Sequence, residues 1–372
     1  MTRIVFYDGC TDTSYSEASI EIGANRIGGT EMAVARVASR LSEAHHVTVA
    51  QDGREFSEGS ARLQWIPLAE SGEELARADA IVVLRRPRDM ISLRRLNKDV
   101  PLFMWYHDWN YPVRSFKPVK VMLRNWLRTE AHPVMHHLAR VNAVGVSQTH
   151  ARNIREHLAE ARVTWPLAAR VPVDYVYNPI PADLARSDAD YDPTKLVFFS
   201  AAWKGLDMVI KAFQSVRQTM PDMRLYVASP SYADRGVAPT GAAAENITHL
   251  GSLSPADVIA EVRSALCVFY PANRVPETFG CVFAEAHAVG TPVLAHPGGA
   301  ACELLGGDEL VDARDLVAVV ERVRSWREGA RPIVCANEEM TLSSVARAWE
   351  RLLLGAEQPS ALDDRLLLAA AA

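Results

Sequence analysis

The stretch PETFGCVFAEAHAVGTPVLA, residues 276–295, carries two carboxylates in an otherwise apolar pattern. Glu277 stands beside a Thr-Phe-Gly segment that is predicted to turn the backbone, and Glu285 follows eight positions later inside a helical pattern. Removing a charged carboxylate from water costs free energy unless the carboxylate has a partner. Each of the two glutamates is therefore expected to have one.

A helix that begins at Gly280 explains this spacing. Its core face is predicted to contain Val282, Ala286 and Val289. Glu285 would then share its side of the helix with the small residues Cys281 and Ala288, which leave room for a ligand. The two glutamates would contact different parts of one extended ligand through its hydroxyl groups.

The alternative is that Glu277 caps the helix and that Glu285 is an exposed polar residue. The glycine-rich return AHAVGTPVLAHPGGA, residues 286–300, favours the ligand instead, because a loop that faces a ligand needs such a backbone.

Outside this stretch, short apolar runs alternate with amphipathic segments. Strands are predicted at 3–7, 47–50, 63–68, 80–84, 101–107, 143–147 and 173–178, and again at 195–201, 223–229, 247–251, 267–272 and 291–296. Helices are predicted at 30–43, 149–159, 206–218, 255–265, 280–289, 313–328 and 339–354. Apolar strands that are each followed by a helix are typical of parallel sheets covered on both faces. The fold class is thus α/β, with two doubly wound, Rossmann-like domains.

The alternation of strand and helix patterns is interrupted by a proline- and aspartate-rich segment, NPIPADLARSDADYDPTK at residues 178–195. Such a composition is typical of a linker. The predicted division is an N-terminal domain over 1–183, a C-terminal domain over 184–355 and a tail over 356–372. Ligands bind at the carboxyl ends of parallel strands, so two facing sheets would enclose a binding cleft.

Two loops at such strand ends contain residues that are suited to bind an anionic ligand. Gly28 and Gly29 precede a helical pattern, where glycine lets the backbone approach a ligand and the helix N-terminus favours an anion. Lys204 precedes Gly205 and another helix, so its ammonium would reach a diphosphate at that terminus. Taken alone, the glycine pair also fits a simple turn and the lysine also fits a solvated surface residue.

The composition points to a soluble cytoplasmic protein. The 372 residues carry a net charge of -5 and five cysteines without CxxC spacing, which argues against a disulfide framework or a zinc site. The first residues lack a signal-peptide core, and no apolar run is long enough to span a bilayer.

Four segments together resemble the retaining glycosyltransferases of family 4, which have the GT-B fold. They are GGTEMAVARVASRL (28–41), KGLDMVIKAF (204–213), ITHLGSLSPADVIAEVRSALCVFYPA (247–272) and ETFGCVFAEAHAVGTPVLAHPGGAACELL (277–305). The resemblance spans nearly the whole chain and is most specific in the paired glutamates.

The resemblance implies roles for these residues. Glu277 would contact the hydroxyls of a donor sugar, and Glu285 the ribose of its nucleotide. Gly28, Gly29 and Lys204 would hold the diphosphate. Backbone N–H groups of Thr278, Phe279 and Gly280 would assist at the same helix end.

The sequence YHDW, residues 106–109, resembles the family's His-Asp pair at the cleft. His107 would contact the donor sugar and Asp108 would orient the acceptor. A histidine and a neighbouring aspartate at a strand end also fit a local pair with no catalytic role, and the sequence leaves both readings open.

One feature departs from the family pattern. The family usually has an arginine shortly before the lysine, whereas this chain reads FFSAAWKG at 198–205. Arg274 or Arg235 would have to supply the second cation for the diphosphate.

No metal or other cofactor is expected, because GT-B enzymes usually replace the divalent cation with side chains and helix dipoles. The two aspartates of the DxD at 188–190 lie in the predicted linker and are not interpreted as a metal site.

Eleven basic residues and three aspartates lie between Arg85 and Arg128, which gives this segment a net charge of +8. With its interleaved aromatic residues it would suit an anionic membrane surface with a lipid-linked acceptor, or a charged soluble acceptor. A solvated basic face is the simpler interpretation. Nucleic-acid binding is not expected, because the whole chain is acidic.

The predicted function is a retaining glycosyltransferase that moves a sugar from a nucleoside diphosphate sugar to an acceptor hydroxyl on a glycan, glycolipid or small molecule. A sugar-nucleotide epimerase and a non-catalytic nucleotide-sugar-binding protein are the alternatives. The sequence does not identify the base, the sugar or the acceptor.

Overall fold

The computed structural model describes residues 1–21, 27–109, 134–160, 171–186, 190–228 and 245–355. They form two compact units. The first contains the described residues of Met1–Ile20, Thr30–Pro179 and Leu342–Ala372, and the second contains those of Glu21–Gly29 and Ile180–Thr341. The predicted tail, 356–372, lies outside the described residues, as does 110–133 of the basic segment.

The strands follow the predicted apolar runs, except for the two-residue strand Glu58–Gly59, which the sequence pattern does not predict. They are β1 Arg3–Asp8, β2 His46–Gln51, β3 Glu58–Gly59, β4 Leu63–Pro67, β5 Ala80–Leu84, β6 Leu102–Trp105, β7 Val141–Gly145, β8 Val173–Tyr175, β9 Asp192–Phe199, β10 Arg224–Ala228, β11 Ile247–Gly251, β12 Ala265–Tyr270 and β13 Val293–Ala295.

The helices are α1 Glu17–Glu21, α2 Gly29–Ser42, α3 Gly72–Arg77, α4 Met90–Leu96, α5 Gln148–Glu160, α6 Leu206–Thr219, α7 Pro255–Arg263, α8 Cys281–Ala288, α9 Ala301–Leu304, α10 Leu316–Ser325 and α11 Leu342–Leu354. The short helices α1, α3, α4 and α9 are not predicted by the sequence pattern.

The first unit contains a sheet in the order β3-β4-β2-β1-β5-β6-β7-β8. Its strand pairs are parallel except for β3 with β4. The chain runs outward from β1 to one side and then returns to β5 on the other side. The strand order therefore reverses between β1 and β5, which is where such sheets bind ligands.

The second unit contains a parallel sheet in the order β11-β10-β9-β12-β13. Here the order reverses between β9 and β12. The loops that follow these two strands must diverge, one toward each face of the sheet, and they leave a crevice at their base. The predicted α/β class with two parallel-sheet domains is confirmed.

Helix α11 packs in the first unit, although the sequence analysis assigned it to a domain over 184–355. Trp349 is fully buried, and its ring lies 4.7 Å from that of Trp105 and 6.4 Å from that of Phe6. His45 Nε2 and Glu350 Oε1, both buried, lie 2.8 Å apart. The division between the units falls after Pro179, rather than after the predicted residue 183.

Among the described residues, no helix combines the length and the apolar character needed to cross a membrane.

We predict that Trp349→Ala will destabilise the first unit by about 3–5 kcal/mol, because it removes a fully buried indole. Hydrogen exchange followed by mass spectrometry should show lost protection in β1 and β6 and retained protection in β9 and β12. Phe56→Ala is the matched control, since Phe56 belongs to the same unit and is 75% exposed. Lost protection confined to β9 and β12 would contradict the assignment of α11.

Candidate active site

Lys204 and Glu277 meet at the point where the second sheet reverses its strand order. Lys204 lies in a short 3-10 turn after β9, and Glu277 lies in the loop after β12. Lys204 Nζ donates to both Glu277 oxygens at 2.8 Å. The sequence analysis placed both residues on one ligand, and the structure joins them in a direct ion pair.

Tyr270 also binds this carboxylate and was not predicted. Its hydroxyl donates to Glu277 Oε1 at 2.8 Å. Tyr270 is the last residue of β12 and is 3% exposed. The only sequence signal was a hydroxyl-bearing residue at the carboxyl end of an otherwise apolar strand, and this pattern usually indicates core packing.

Two glycines shape the loops around the ion pair. Gly205 has a φ of 124° and precedes α6, and Gly280 has a φ of 81° and precedes α8. A methyl group on Gly280 would lie 2.5 Å from Phe283 Cδ2. Glycine is therefore required at position 280 both by its backbone angle and by the neighbouring ring.

The segment between Glu277 and α8 is fixed by a buried side chain and by a backbone hydrogen bond. Phe279 is buried, and the Glu277 carbonyl accepts a hydrogen bond from Ala300 N at 2.9 Å. Thr278 is half-buried. The predicted contact of the N–H groups of Thr278, Phe279 and Gly280 with a diphosphate stays a prediction.

Glu285 lies in α8 and is half-buried, as is Cys281 one turn before it. Gly29, the first residue of α2, belongs to the second unit. A methyl group on Gly29 would lie 3.4 Å from Cys281 Sγ. Gly28 is half-buried directly before it. Gly29 therefore lies beside the first turn of the helix that carries Glu285, which is compatible with the predicted shared ligand.

Glu277 borders a pocket of about 200 Å³. It is lined by Tyr270, Ala272, Asn273, Val275, Pro276, Glu277, Phe283, Ala295, His296, Gly298, Gly299 and Ala301. His296 Nδ1 accepts from Ala313 N at 3.2 Å. Partial burial lowers the pKa of His296 against the opposing effect of Asp312, which favours the neutral imidazole.

Arg274, one of the two residues predicted to supply a second cation, lies near Gly205. Its Cβ is 3.7 Å from a methyl group placed on Gly205, and its guanidinium is 2.5 Å from Asp207 Oδ2 in the first turn of α6. Both side chains are at least half exposed, so this ion pair can open at little cost. The other predicted substitute, Arg235, lies outside the described residues.

His107 and Asp108 follow β6 in the first unit. His107 is buried, and its burial together with the nearby positive charge of Arg85 holds its pKa well below the ordinary value. His107 is therefore neutral at physiological pH. Asp108 is exposed, and its backbone carbonyl contacts a second histidine, His150.

His150 was not predicted as a site residue. Its Nδ1 accepts from Val146 N at 3.2 Å, so the ring proton is on Nε2, which donates to the Asp108 carbonyl at 3.0 Å. Burial lowers its pKa to about 4. This bond ties the loop that carries Asp108 to the start of α5.

Within the described residues, no group of three or more His, Cys, Asp or Glu side chains is arranged to hold a metal ion. Of the two aspartates in the DxD, Asp188 lies outside those residues and Asp190 is exposed.

The second half of the chain matches a known family. Residues 191–349 match the family model described as "Glycosyl transferases group 1". The predicted resemblance to the family 4 glycosyltransferases is thereby confirmed, and the matched segment contains Lys204, Tyr270, Glu277 and Glu285.

Curated relatives match this chain over shorter stretches. The phosphatidyl-myo-inositol mannosyltransferase of Mycobacterium tuberculosis is 32% identical over 118 residues, which is 31% of each chain. The D-inositol 3-phosphate glycosyltransferase of Segniliparus rotundus is 30% identical over 132 residues, which is 32% of this chain and 29% of the relative. The matched part thus spans about a third of these relatives' length.

Solved structures with the same fold cover the whole length of this chain. The trehalose 6-phosphate synthase of Burkholderia multivorans is 12% identical with a TM-score of 0.65, and each chain is covered completely. The sucrose-phosphate synthase of Thermosynechococcus elongatus is 18% identical with a TM-score of 0.60, also with complete coverage. At these identities the likeness shows the GT-B class of fold.

We predict that Gly280→Ala will cost about 2 kcal/mol or more of unfolding free energy, because a positive φ and a clash with the Phe283 ring act together. Urea unfolding would measure this cost. Gly329→Ala is the control, since Gly329 has a φ of 113° but a methyl group there meets nothing within 4 Å. A smaller loss for G280A than for G329A would show that the ring contact is unimportant.

The pKa of His150 predicts a pH dependence of stability. Because its folded-state pKa of about 4 lies below the ordinary value of 6.5, the unfolded chain binds more protons between these values. Stability should therefore fall as the pH drops from 6.5 to 4, with a contribution from His150 of up to about 3 kcal/mol.

His150→Asn, whose amide oxygen can accept from Val146 N, should flatten this dependence in urea titrations at pH 7 and pH 5. His46→Asn, at a half-buried histidine of the same unit, should retain the wild-type slope. An unchanged slope for H150N would contradict the prediction.

Proposed function

We propose that this chain transfers a sugar from a nucleoside diphosphate sugar to an acceptor hydroxyl with retention of configuration, and that the second unit binds the donor. The observation that carries the proposal is the contact of Lys204 with Glu277 at the strand-order reversal. An ammonium and a carboxylate side by side suit a ligand that has a diphosphate next to a hydroxyl-rich ring.

The ammonium of Lys204 would neutralise the negative charge that develops on the departing diphosphate. Helices α6 and α8 begin beside the same loops, and their N-termini favour an anion in the same way. Arg274 is our proposal for the second cation, because its bond to Asp207 is exposed and exchangeable. No metal is required for this arrangement.

Glu277 would accept hydrogen bonds from the donor sugar rather than attack it. Its carboxylate is already bound by Lys204 and Tyr270, which lowers its nucleophilicity and fixes its orientation. Retention then follows if the acceptor approaches on the face from which the diphosphate leaves and gives its proton to the departing phosphate. Glu285, one helix turn beyond Cys281, is assigned to the ribose.

The acceptor is proposed only as a class. The names of the mycobacterial and Segniliparus relatives refer to phosphatidyl-myo-inositol and to D-inositol 3-phosphate. Phosphorylated polyols therefore come first in an acceptor panel. Peripheral contact with a membrane through residues 85–128 stays a prediction, as do the roles of His107 and Asp108.

We predict that one class of nucleoside diphosphate sugar will raise the melting temperature of the wild-type chain, because a ligand that binds only the folded state stabilises it. Lys204→Ala should lose most of this shift and about 100-fold of the transfer rate. Lys211→Ala, at an exposed lysine in α6, should retain both.

The same assay separates the alternatives. Conversion of the donor to another nucleotide sugar without acceptor would indicate an epimerase. Binding without transfer or donor hydrolysis would indicate a binding protein. A chain that neither binds nor turns over any nucleotide sugar would refute the proposal.

A further inference from the structure

We propose that Tyr270 is a positioning residue that fixes Oε1 of Glu277 and thereby presents Oε2 to the hydroxyls of the donor sugar. This inference rests on the proposed function and assigns a role to a residue that lies in the core of the second unit. It also assigns the two oxygens of Glu277 to different tasks.

The two oxygens of Glu277 have different surroundings. Oε1 accepts from Lys204 Nζ and from the Tyr270 hydroxyl, each at 2.8 Å. Oε2 accepts from Lys204 Nζ at 2.8 Å. Lys204 therefore bridges both oxygens, whereas the Tyr270 hydroxyl distinguishes one oxygen from the other.

The Tyr270 ring is held by core packing on two sides. It lies nearly parallel to Phe198 of β9, with ring centroids 5.3 Å apart and an angle of 25°. Its other contact is edge-on with Phe283 of α8, at 5.5 Å and 88°. With 3% exposure the ring has little freedom to rotate, so its hydroxyl is a fixed point for the carboxylate.

Lys204 cannot serve in the same way when the donor is bound. Its side chain is flexible and 22% exposed, and a diphosphate with two negative charges competes for its ammonium. When Lys204 turns to the diphosphate, Oε2 becomes available to a sugar hydroxyl. Tyr270 keeps its bond to Oε1, and the orientation of the carboxylate is preserved.

Before the donor binds, Lys204 thus occupies the position on Glu277 that the donor sugar takes later. The ammonium neutralises Glu277 in the unliganded protein, and the diphosphate and the sugar then exchange into the positions of the two partners. Such an exchange requires a third group that holds the carboxylate throughout, and the geometry assigns this task to the Tyr270 hydroxyl.

The simpler explanation is that Tyr270 is a core residue whose hydroxyl happens to find a partner. The two explanations differ in what Tyr270→Phe would change. This variant keeps the ring between Phe198 and Phe283 and removes only the hydroxyl. A packing role predicts no effect that depends on the sugar, whereas a positioning role predicts an effect confined to ligands that carry the sugar.

The experiment compares wild type, Y270F and Y226F by calorimetry with a nucleoside diphosphate and with its sugar conjugate. We expect Y270F to bind the nucleoside diphosphate like wild type and the sugar conjugate about tenfold more weakly, the loss typical of one hydrogen bond to a charged group. Tyr226 lies in β10 of the same sheet, half-buried, so Y226F removes a matched hydroxyl and should bind both ligands normally.

A series of donors, each lacking one sugar hydroxyl, extends the test. The tenfold difference between Y270F and wild type should disappear for the donor that lacks the hydroxyl bound by Glu277 and persist for the others. Melting temperatures of the unliganded proteins would verify that Y270F is folded.

Equal binding of the sugar conjugate by wild type and Y270F would overturn the role of Tyr270 and leave the proposed function intact. An equal loss for the nucleoside diphosphate and its conjugate would also overturn it, in favour of a structural role. A wild-type chain that binds no nucleotide sugar would overturn the proposed function itself, and the role of Tyr270 with it.

Discussion

The contact between Lys204 and Glu277 depends on one topological constraint. In the second sheet the chain leaves β9 toward one edge and returns beside it as β12, so the loops after these strands flank the same crevice. Each loop contributes one charged residue. The two side chains are 22% and 11% exposed, a range in which desolvation cancels much of the Coulomb attraction. The pair is therefore expected to contribute little net stability.

The residues around this pair contact one another as well as Glu277. Glycine at position 280 permits a left-handed turn between the loop and α8, and the Phe283 ring fills the space where a side chain would lie. The same ring packs on Tyr270, which binds Glu277. The backbone turn, the aromatic packing and the orientation of the carboxylate are thus parts of one arrangement. A change at any of them is expected to reach the Glu277 carboxylate.

The features that were predicted correctly from the sequence are those with a local sequence pattern. Buried parallel strands are continuous apolar runs, so β1, β5 and β12 were evident, while β3, with two residues, has no such signal. Lys204 and Glu277 were singled out as candidates because charged residues beside glycines are conspicuous at strand ends. Tyr270 was missed because a tyrosine in an apolar run resembles core. Helix α11 was assigned to the wrong unit because the partners of Trp349, Phe6 and Trp105, are distant in sequence.

The protonation state of His107 limits the part that this residue can take in the proposed sugar transfer. A histidine that is buried near Arg85 and held neutral by a strongly lowered pKa is a poor proton acceptor, because its charged form is disfavoured by both burial and the positive charge. It can still donate or accept a hydrogen bond to a sugar hydroxyl. Glu277 already accepts hydrogen bonds from an ammonium and a phenol. The proposed transfer therefore assigns the acceptor proton to the departing phosphate rather than to His107.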